Sequence, residues 1–484
     1  MGVGADIERL PQRRSIRGGR LPSCVNDNGA RPKAHFLNNA DNGYTTSGLY
    51  TDLHRVVPIC GLTIGGSLMK ISTRVVSCWL MLLLMPAAQA QQLRYGETVT
   101  SRPRPELDPL GIRAAGFLIY PSLAVSEQYN DNIFADETGE VDAFITYITP
   151  GVRVNSDWSN HALNFRADAN IGRYIDNGDE DFEDYFFGAD GRLDVTRDQS
   201  LFIDGLYSHI HQNRGDPDDP QGRNQGSYDL STVTGGYNHT FNRLSVTLEG
   251  TGVRYDYENV TADDGSLINQ EQRNRTDAIG TLRAAYELTP GYSAFLLGSY
   301  INRSYDERDQ DGILRSSDGY EVAVGLDLAL TGVTTGDLYV GYRSQFYDDP
   351  ILPTIEGPQG GASIYWNVTT LTTITGRVER TIEETTFLTD DEGIPAAGYF
   401  RTRYGVIVDH ELLRNLLLQA SLFGINSDFV GIDRTDNVLL ATVGARYLLN
   451  RYLDISIGYG YTDRSSDFNP YSQNTATLTV NVKL

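Results

Sequence analysis

From Phe117 to Leu484, apolar and polar residues change places at every second position, in segments of roughly ten to fifteen residues. This period-two texture marks strands with one greasy and one wet face. In residues 162–175, Leu163, Phe165, Ala167, Ala169 and Ile171 share one face, while Asn164, Arg166, Asp168 and Asn170 share the other. The next segment repeats the pattern, with Tyr185, Phe187, Ala189, Gly191 and Leu193 against Asp190, Arg192 and Asp194. The chain closes the same way, with Ala476, Leu478, Val480, Val482 and Leu484 opposite Thr477, Thr479, Asn481 and Lys483.

A soluble β-sandwich also alternates, so the connections must decide. Short turns at 157–160, 197–199, 241–243, 289–291, 412–415 and 450–451 take turns with polar loops at 176–184, 213–226, 259–272, 306–318, 348–360, 383–397 and 463–472. Long and short links in strict alternation put every second hairpin on the same side. Transmembrane barrels are built this way, because only a closed ring of strands satisfies all backbone donors and acceptors in hydrocarbon. The segments number about eighteen, with sixteen as the runner-up. The expected fold is therefore all-β, a transmembrane antiparallel up-and-down β-barrel over residues 117–484. An even strand number returns the C-terminus to the periplasmic side, and the alternating last strand is similar to the address read by the barrel assembly machinery.

Composition sharpens this picture. The chain has 49 Gly, 29 Tyr and only four Met, and its mean hydropathy of −0.33 excludes a helical membrane protein. Tyrosine supplies interfacial girdles, and glycine accepts curvature and close strand approach.

The first ninety residues are of another kind. Lys70 and Arg74 precede an apolar run, Val75–Met85, which ends at Pro86 and Ala88-Gln89-Ala90. These features read as a cleaved signal peptide over 69–90, since about eleven apolar residues fall short of the ~20 that span a bilayer as a helix. Residues 1–68 are then a misassigned start or a disordered extension, with a genuine cytoplasmic extension as the alternative. Cleavage after Ala90 removes Cys24, Cys60 and Cys78 and leaves 30 basic against 58 acidic residues. A chain so acidic and free of cysteine is a poor fit to nucleic acid, thiolate metal sites or a cysteine nucleophile.

Between leader and barrel, residues 91–116 carry the run Arg102-Pro103-Arg104-Pro105-Glu106-Leu107-Asp108-Pro109, which suits neither helix nor strand. Three readings stand: a periplasmic tail, a plug entering the lumen, or a docking strip for a periplasmic partner. Arg102 and Arg104 on an extended backbone would suit an acidic partner or the lumen carboxylates.

The run 99–112, with Tyr129-Asn130-Asp131-Asn132-Ile133-Phe134 and Ser156-Asp157-Trp158-Ser159-Asn160-His161-Ala162-Leu163-Asn164-Phe165, resembles the putative beta-barrel porin 2 family. The resemblance implies an outer-membrane barrel over residues 91–484, with no catalytic residues to carry over. It also allows an exopolysaccharide export pore beside a solute porin.

Candidate chemistry lies on the expected inner face. Arg166, Arg192, Arg254, Arg283, Arg343, Arg377, Arg403 and Arg446 share it with Asp168, Asp190, Glu249, Asp277, Asp327, Asp337, Asp409 and Asp454. Segregated onto opposite walls, they would set a transverse field that sorts polar solutes; otherwise they pair across strands and hold the register. Asp309, Asp311 and Asp318 imitate a calcium loop in spacing only, without its first Asp, its last Glu or flanking helices. His209 and His211 stand two apart and would point to one face. There is no nucleophile elbow or phosphate loop. The expectation is a porin-like channel for small hydrophilic solutes, not an enzyme and without cofactor, with outer-membrane lipid and lipopolysaccharide around it. The alternatives are polysaccharide export and a non-conducting structural or adhesive barrel.

Overall fold

The computed structural model describes residues 96–216, 218–310, 312–385, 396–467 and 469–484. The signal-peptide and N-terminal extension readings lie outside these residues. A three-residue strand, β1 (Ile112–Ala114), leads into eighteen long ones. First come β2 (Phe117–Asn130), β3 (Ala143–Ser156), β4 (Ala162–Tyr174), β5 (Phe182–Asp194), β6 (Gln199–His211), β7 (Ser227–Phe241) and β8 (Leu244–Tyr257). A loop then carries the small hairpin β9 (Val260–Thr261) and β10 (Leu267–Ile268). The ring continues with β11 (Arg275–Thr289), β12 (Tyr292–Tyr305), β13 (Ser317–Thr331), β14 (Thr334–Tyr347), β15 (Ile355–Thr369) and β16 (Thr372–Glu384). It ends with β17 (Gly398–Leu413), β18 (Leu416–Val430), β19 (Thr435–Leu448), β20 (Leu453–Ser465) and β21 (Tyr471–Lys483).

Each long strand pairs antiparallel with its neighbours, and β2 closes the ring against β21 from Ser122↔Lys483 to Asn130↔Thr475. At ~4.8 Å between strands and ~40° of tilt, such a ring has a backbone diameter on the order of 35 Å. Prolines fall where the ladder can spare a donor. The β3–β4 register skips Thr149 and Pro150, and Pro358 lies in the first stretch of β15, which pairs with β14 alone until β16 joins at Gly360. The strand there starts at Ile355, so the expected loop 348–360 is shorter than its proline suggested.

Alternation sorts the side chains as period two requires. Leu123, Val125, Leu248, Leu296, Val324, Val340, Leu422 and Ile457 stand exposed on the outer wall. Tyr286 and Trp366 lie outside towards the turns, and Tyr300, Tyr320 and Tyr342 towards the loops. Inside are Ser126, Gln128, Thr232, Thr251, Thr479 and Asn481, all buried. The strands run to 13–16 residues, beyond the ~9–11 that cross a bilayer. Their excess lengths stand clear of lipid, where the outer face has no need to be apolar.

The segment before β2 is not wholly irregular as its prolines suggested. Ile112–Ala114 pairs with Phe117–Ile119 through a two-residue turn in which Ala115 and Gly116 both have left-handed φ, 48° and 84°. Two positive φ values in succession are what a tight hairpin matching strand twist demands.

Candidate functional site

The lumen is the site. Of the expected lumen residues, Arg166, Asp168, Asp190, Arg192, Glu249, Asp277, Arg283, Asp327, Asp337, Arg343, Arg377, Arg403, Asp409, Arg446 and Asp454 fall on the inner face of their strands. Arg254 does not. Counted by twos from outward Leu248 it stands on the outer wall, where it grips Asp256 and Asp306 with its guanidinium. It lies near the loop end of β8, past the apolar band, where polarity no longer tells inside from outside.

Acids and bases do not sort onto opposite walls. Arg166 and Asp168 neutralise each other along β4, and Arg192 Nε reaches Asp194 at 2.9 Å along β5. Arg283 meets Asp327 at 3.0 Å, Asp277 accepts from Arg303 at 3.1 Å, and Asp409 accepts from Gln419 at 2.8 Å. Asp454, fully buried, holds Arg446 at 2.9 Å and Lys483 at 3.0 Å, and so ties β19, β20 and β21 together. Arg403 lies over the Phe423 ring, 4.8 Å from its centroid, and Arg377 donates to the Tyr365 hydroxyl at 3.2 Å. The inner wall is thus a mosaic of short-range pairs, which cross-strand geometry favours.

The loop mouth is crossed from side to side. The loop 212–226, between β6 and β7, carries Arg214, whose guanidinium forks onto Glu180 of the β4–β5 loop, with Nε–Oε2 at 2.9 Å, and reaches the Gly222 carbonyl at 2.7 Å. Both side chains are buried. On the far side, Thr385 donates to Asp218 at 2.6 Å, and Arg464 of β20 donates to the Gly215 carbonyl at 3.2 Å. A 15-residue loop of ~3.3 Å per residue has the reach to span such a ring. Below the crossing, Tyr228, Tyr255 and Tyr257 stack, with Arg275 over Tyr255 at 3.9 Å and Arg273 over Tyr257 at 4.0 Å. Burial raises Asp219, in the loop 212–226, to about 7 despite Arg214 at 3.8 Å.

The turn mouth is narrowed from the other terminus. The Gly96 N–H donates to Thr335, and the Val99 N–H to Thr373 at 2.9 Å. Arg102 reaches Asn367 Oδ1 at 2.6 Å, and Arg104 meets Glu411 at 2.8 Å. Val99 and Arg104 are 0% and 2% exposed, although neither belongs to the barrel ladder. The segment lies along the inner wall from β14 to β17, where Glu106 meets Arg414 at 2.6 Å, and then runs to β1, five strands further round.

The remaining expectations have other fates. Asp311 lies outside the described residues. Asp309 faces Arg315 at 3.3 Å, and Asp318 stands on the outer face of β13, taking the Tyr300 hydroxyl at 2.6 Å. Among the described residues no cluster of three metal-ligating side chains forms. His209 and His211 engage different carboxylates, Asp229 at 2.7 Å on the outer wall and buried Asp184 at 2.8 Å within. The sequence reasoning missed Glu180, Arg214, Asp218, Thr373, Glu411 and Arg464. For Glu411 alone a signal existed, in the pairing of the Arg102–Arg104 run with lumen carboxylates.

A closed antiparallel ring, apolar outside and charged within, defines a porin-like β-barrel protein of the outer membrane. The model of the putative beta-barrel porin 2 family matches residues 104–484, and the chain belongs to that family. Among solved structures it is similar to the outer membrane protein OpdK from Pseudomonas aeruginosa, at 10% identity and a TM-score of 0.41, over 76% of this chain and 98% of that one. OccK3 (OpdO) from the same organism gives 13% and 0.42, over 76% and 95%. The siderophore receptor PiuA from Acinetobacter baumannii gives 11% and 0.44, over 77% and 82%. No curated protein matches the chain in sequence.

Proposed function

We propose that the protein is a gated conduit for small hydrophilic solutes across the outer membrane, with the turn end and the C-terminus in the periplasm and the long loops outside. One observation carries the reading: charged and polar side chains line the inner wall from the loop end at Asp277 to the turn end at Asp454, while the outer wall is greasy. A barrel meant only as a structural post has no need of a charged interior, since apolar packing fills a core at lower desolvation cost. The mosaic of closely spaced pairs suits solutes that offer both donors and acceptors more than it suits ions of one sign. The loop 212–226 is the gate at the outer mouth.

Planar-bilayer recording tests this on residues 91–484 refolded in detergent. The full-length barrel is expected to show rare or small current steps. A barrel with 214–224 replaced by a short Gly-Ser link and residues 91–110 removed is expected to show large, frequent ones. No steps in that doubly trimmed barrel, with heat-modifiable migration proving it folded, would overturn the channel reading.

A further inference from the structure

We propose that residues 96–110 form a displaceable strap that shuts the turn-end mouth, with Glu411, Asn367 and Thr373 as its seat. The inference rests on the channel reading only for its electrical readout.

The first support is the kind of contact that holds the strap. Val99 is its one buried apolar side chain; the other anchors are polar, namely Gly96 to Thr335, Val99 N–H to Thr373, Arg102 to Asn367 and Arg104 to Glu411. Water can replace such partners when the strap leaves, at a small net cost compared with tearing out an apolar core. The seat itself is complete without the strap. Asn367 and Thr373 bond each other at 2.7 Å, and β15, β16 and β17 keep their full backbone ladders.

The second support is the covering of polar wall. Thr373 is 0% exposed, and its hydroxyl takes the Val99 N–H of the strap at 2.9 Å while donating to Asn367 Oδ1 at 2.7 Å. Here the strap itself is part of the cover, since Val99 and Arg102 reach Thr373 and Asn367 directly. The third is the hinge. The strap joins the ring only through β1 and the left-handed pair Ala115–Gly116, while Pro103 and Pro105 stiffen the middle and lie exposed. A stiff segment on a tight turn moves as a unit.

A cysteine-free background makes the test clean, since no cysteine follows Cys78. Thr373→Cys is placed in the barrel of residues 91–484 and in one beginning at Gly111, and each is treated with a small charged methanethiosulfonate. The strapless barrel is expected to label at least about tenfold faster, as protection by a seated segment predicts. Equal rates would overturn the strap. In bilayers, removing residues 91–110 from the loop-trimmed barrel is expected to raise its unitary conductance several-fold, and unchanged conductance would likewise overturn it. Silence in both barrels would sink the channel reading alone, and the thiol rates would then judge the strap. Should the shortened chain fail to fold, Arg104→Ala in the full-length barrel carries the same labelling test.

Discussion

Thr385 at the loop end of β16 donates its hydroxyl to Asp218, which belongs to a loop rooted seven strands away round the ring. A contact of that span forms only if the loop lies across the opening. The matching contact, Arg464 to the Gly215 carbonyl, is made from β20, six strands away in the other direction. Two far-side anchors on different strands fix the loop as a bar, where one would leave it free to swing.

The root of that bar is the buried fork between Arg214 and Glu180. Removing one partner leaves an uncompensated charge in a dry place, which typically costs about 3–5 kcal/mol. Glu180→Ala is therefore expected to release the loop while the barrel stays folded. Hydrogen exchange should speed up in 212–226 and stay slow in the strands; unchanged protection of the loop would contradict this.

Acidity should tighten the same loop. Burial holds the Asp219 carboxyl at about 7, against an ordinary 3.8, with Arg214 and the Gln221 N–H opposing the rise and Asp216 and Glu180 adding to it. Between those two values the packed loop binds more protons than the released one, so its stability falls as pH rises through roughly 4 to 7 and levels off above. The sum is at most about 4 kcal/mol. Cleavage within 212–226 by a protease active across that range should be slow at pH 5 and faster at pH 8. In Asp219→Asn the dependence should flatten.

Asp454, gripped by Arg446 and Lys483, fastens the last three strands at the turn end. Asp454→Ala strands two cations and is expected to lower the unfolding free energy in micelles by about 3–5 kcal/mol. Replacing all three residues by apolar ones of similar volume should recover most of it. A triple variant as weak as the single one would show that packing and not charge is at stake.

Arg377 and Arg254 make a matched pair of controls, both arginines on strands, one inside and one outside. If the barrel conducts as proposed, Arg377→Ala is expected to move the reversal potential of the loop-trimmed, strapless barrel towards cation preference by roughly twofold in permeability ratio. Arg254→Ala should leave it unchanged. A shift from Arg254 would mean that its strand faces the other way.

How much of this was legible follows from which forces act locally. The ring, its eighteen strands and the inner face of fifteen of the sixteen lumen candidates follow from period two, because lipid on one side and water on the other impose it residue by residue. Arg254 misleads because its strand outgrows the bilayer, and there charge alone no longer tells which side a residue faces. Pro358 misleads because a proline argues for a loop unless one knows that β15 is paired on one side only at that point. The bar and the strap are harder still. Their contacts join positions 167 and 307 residues apart, Asp218 with Thr385 and Arg104 with Glu411, and no local rule carries that information.

The seam between Ser122 and Lys483 has a consequence for biogenesis. The first long strand of the ring finds its second neighbour only in the last one made, so no partial product can complete its circle. A chain halted anywhere before β21 would present two rows of bare amide and carbonyl groups to hydrocarbon, each costing several kcal/mol. Closure of the ring therefore waits on β21, the thirteen residues Tyr471–Lys483.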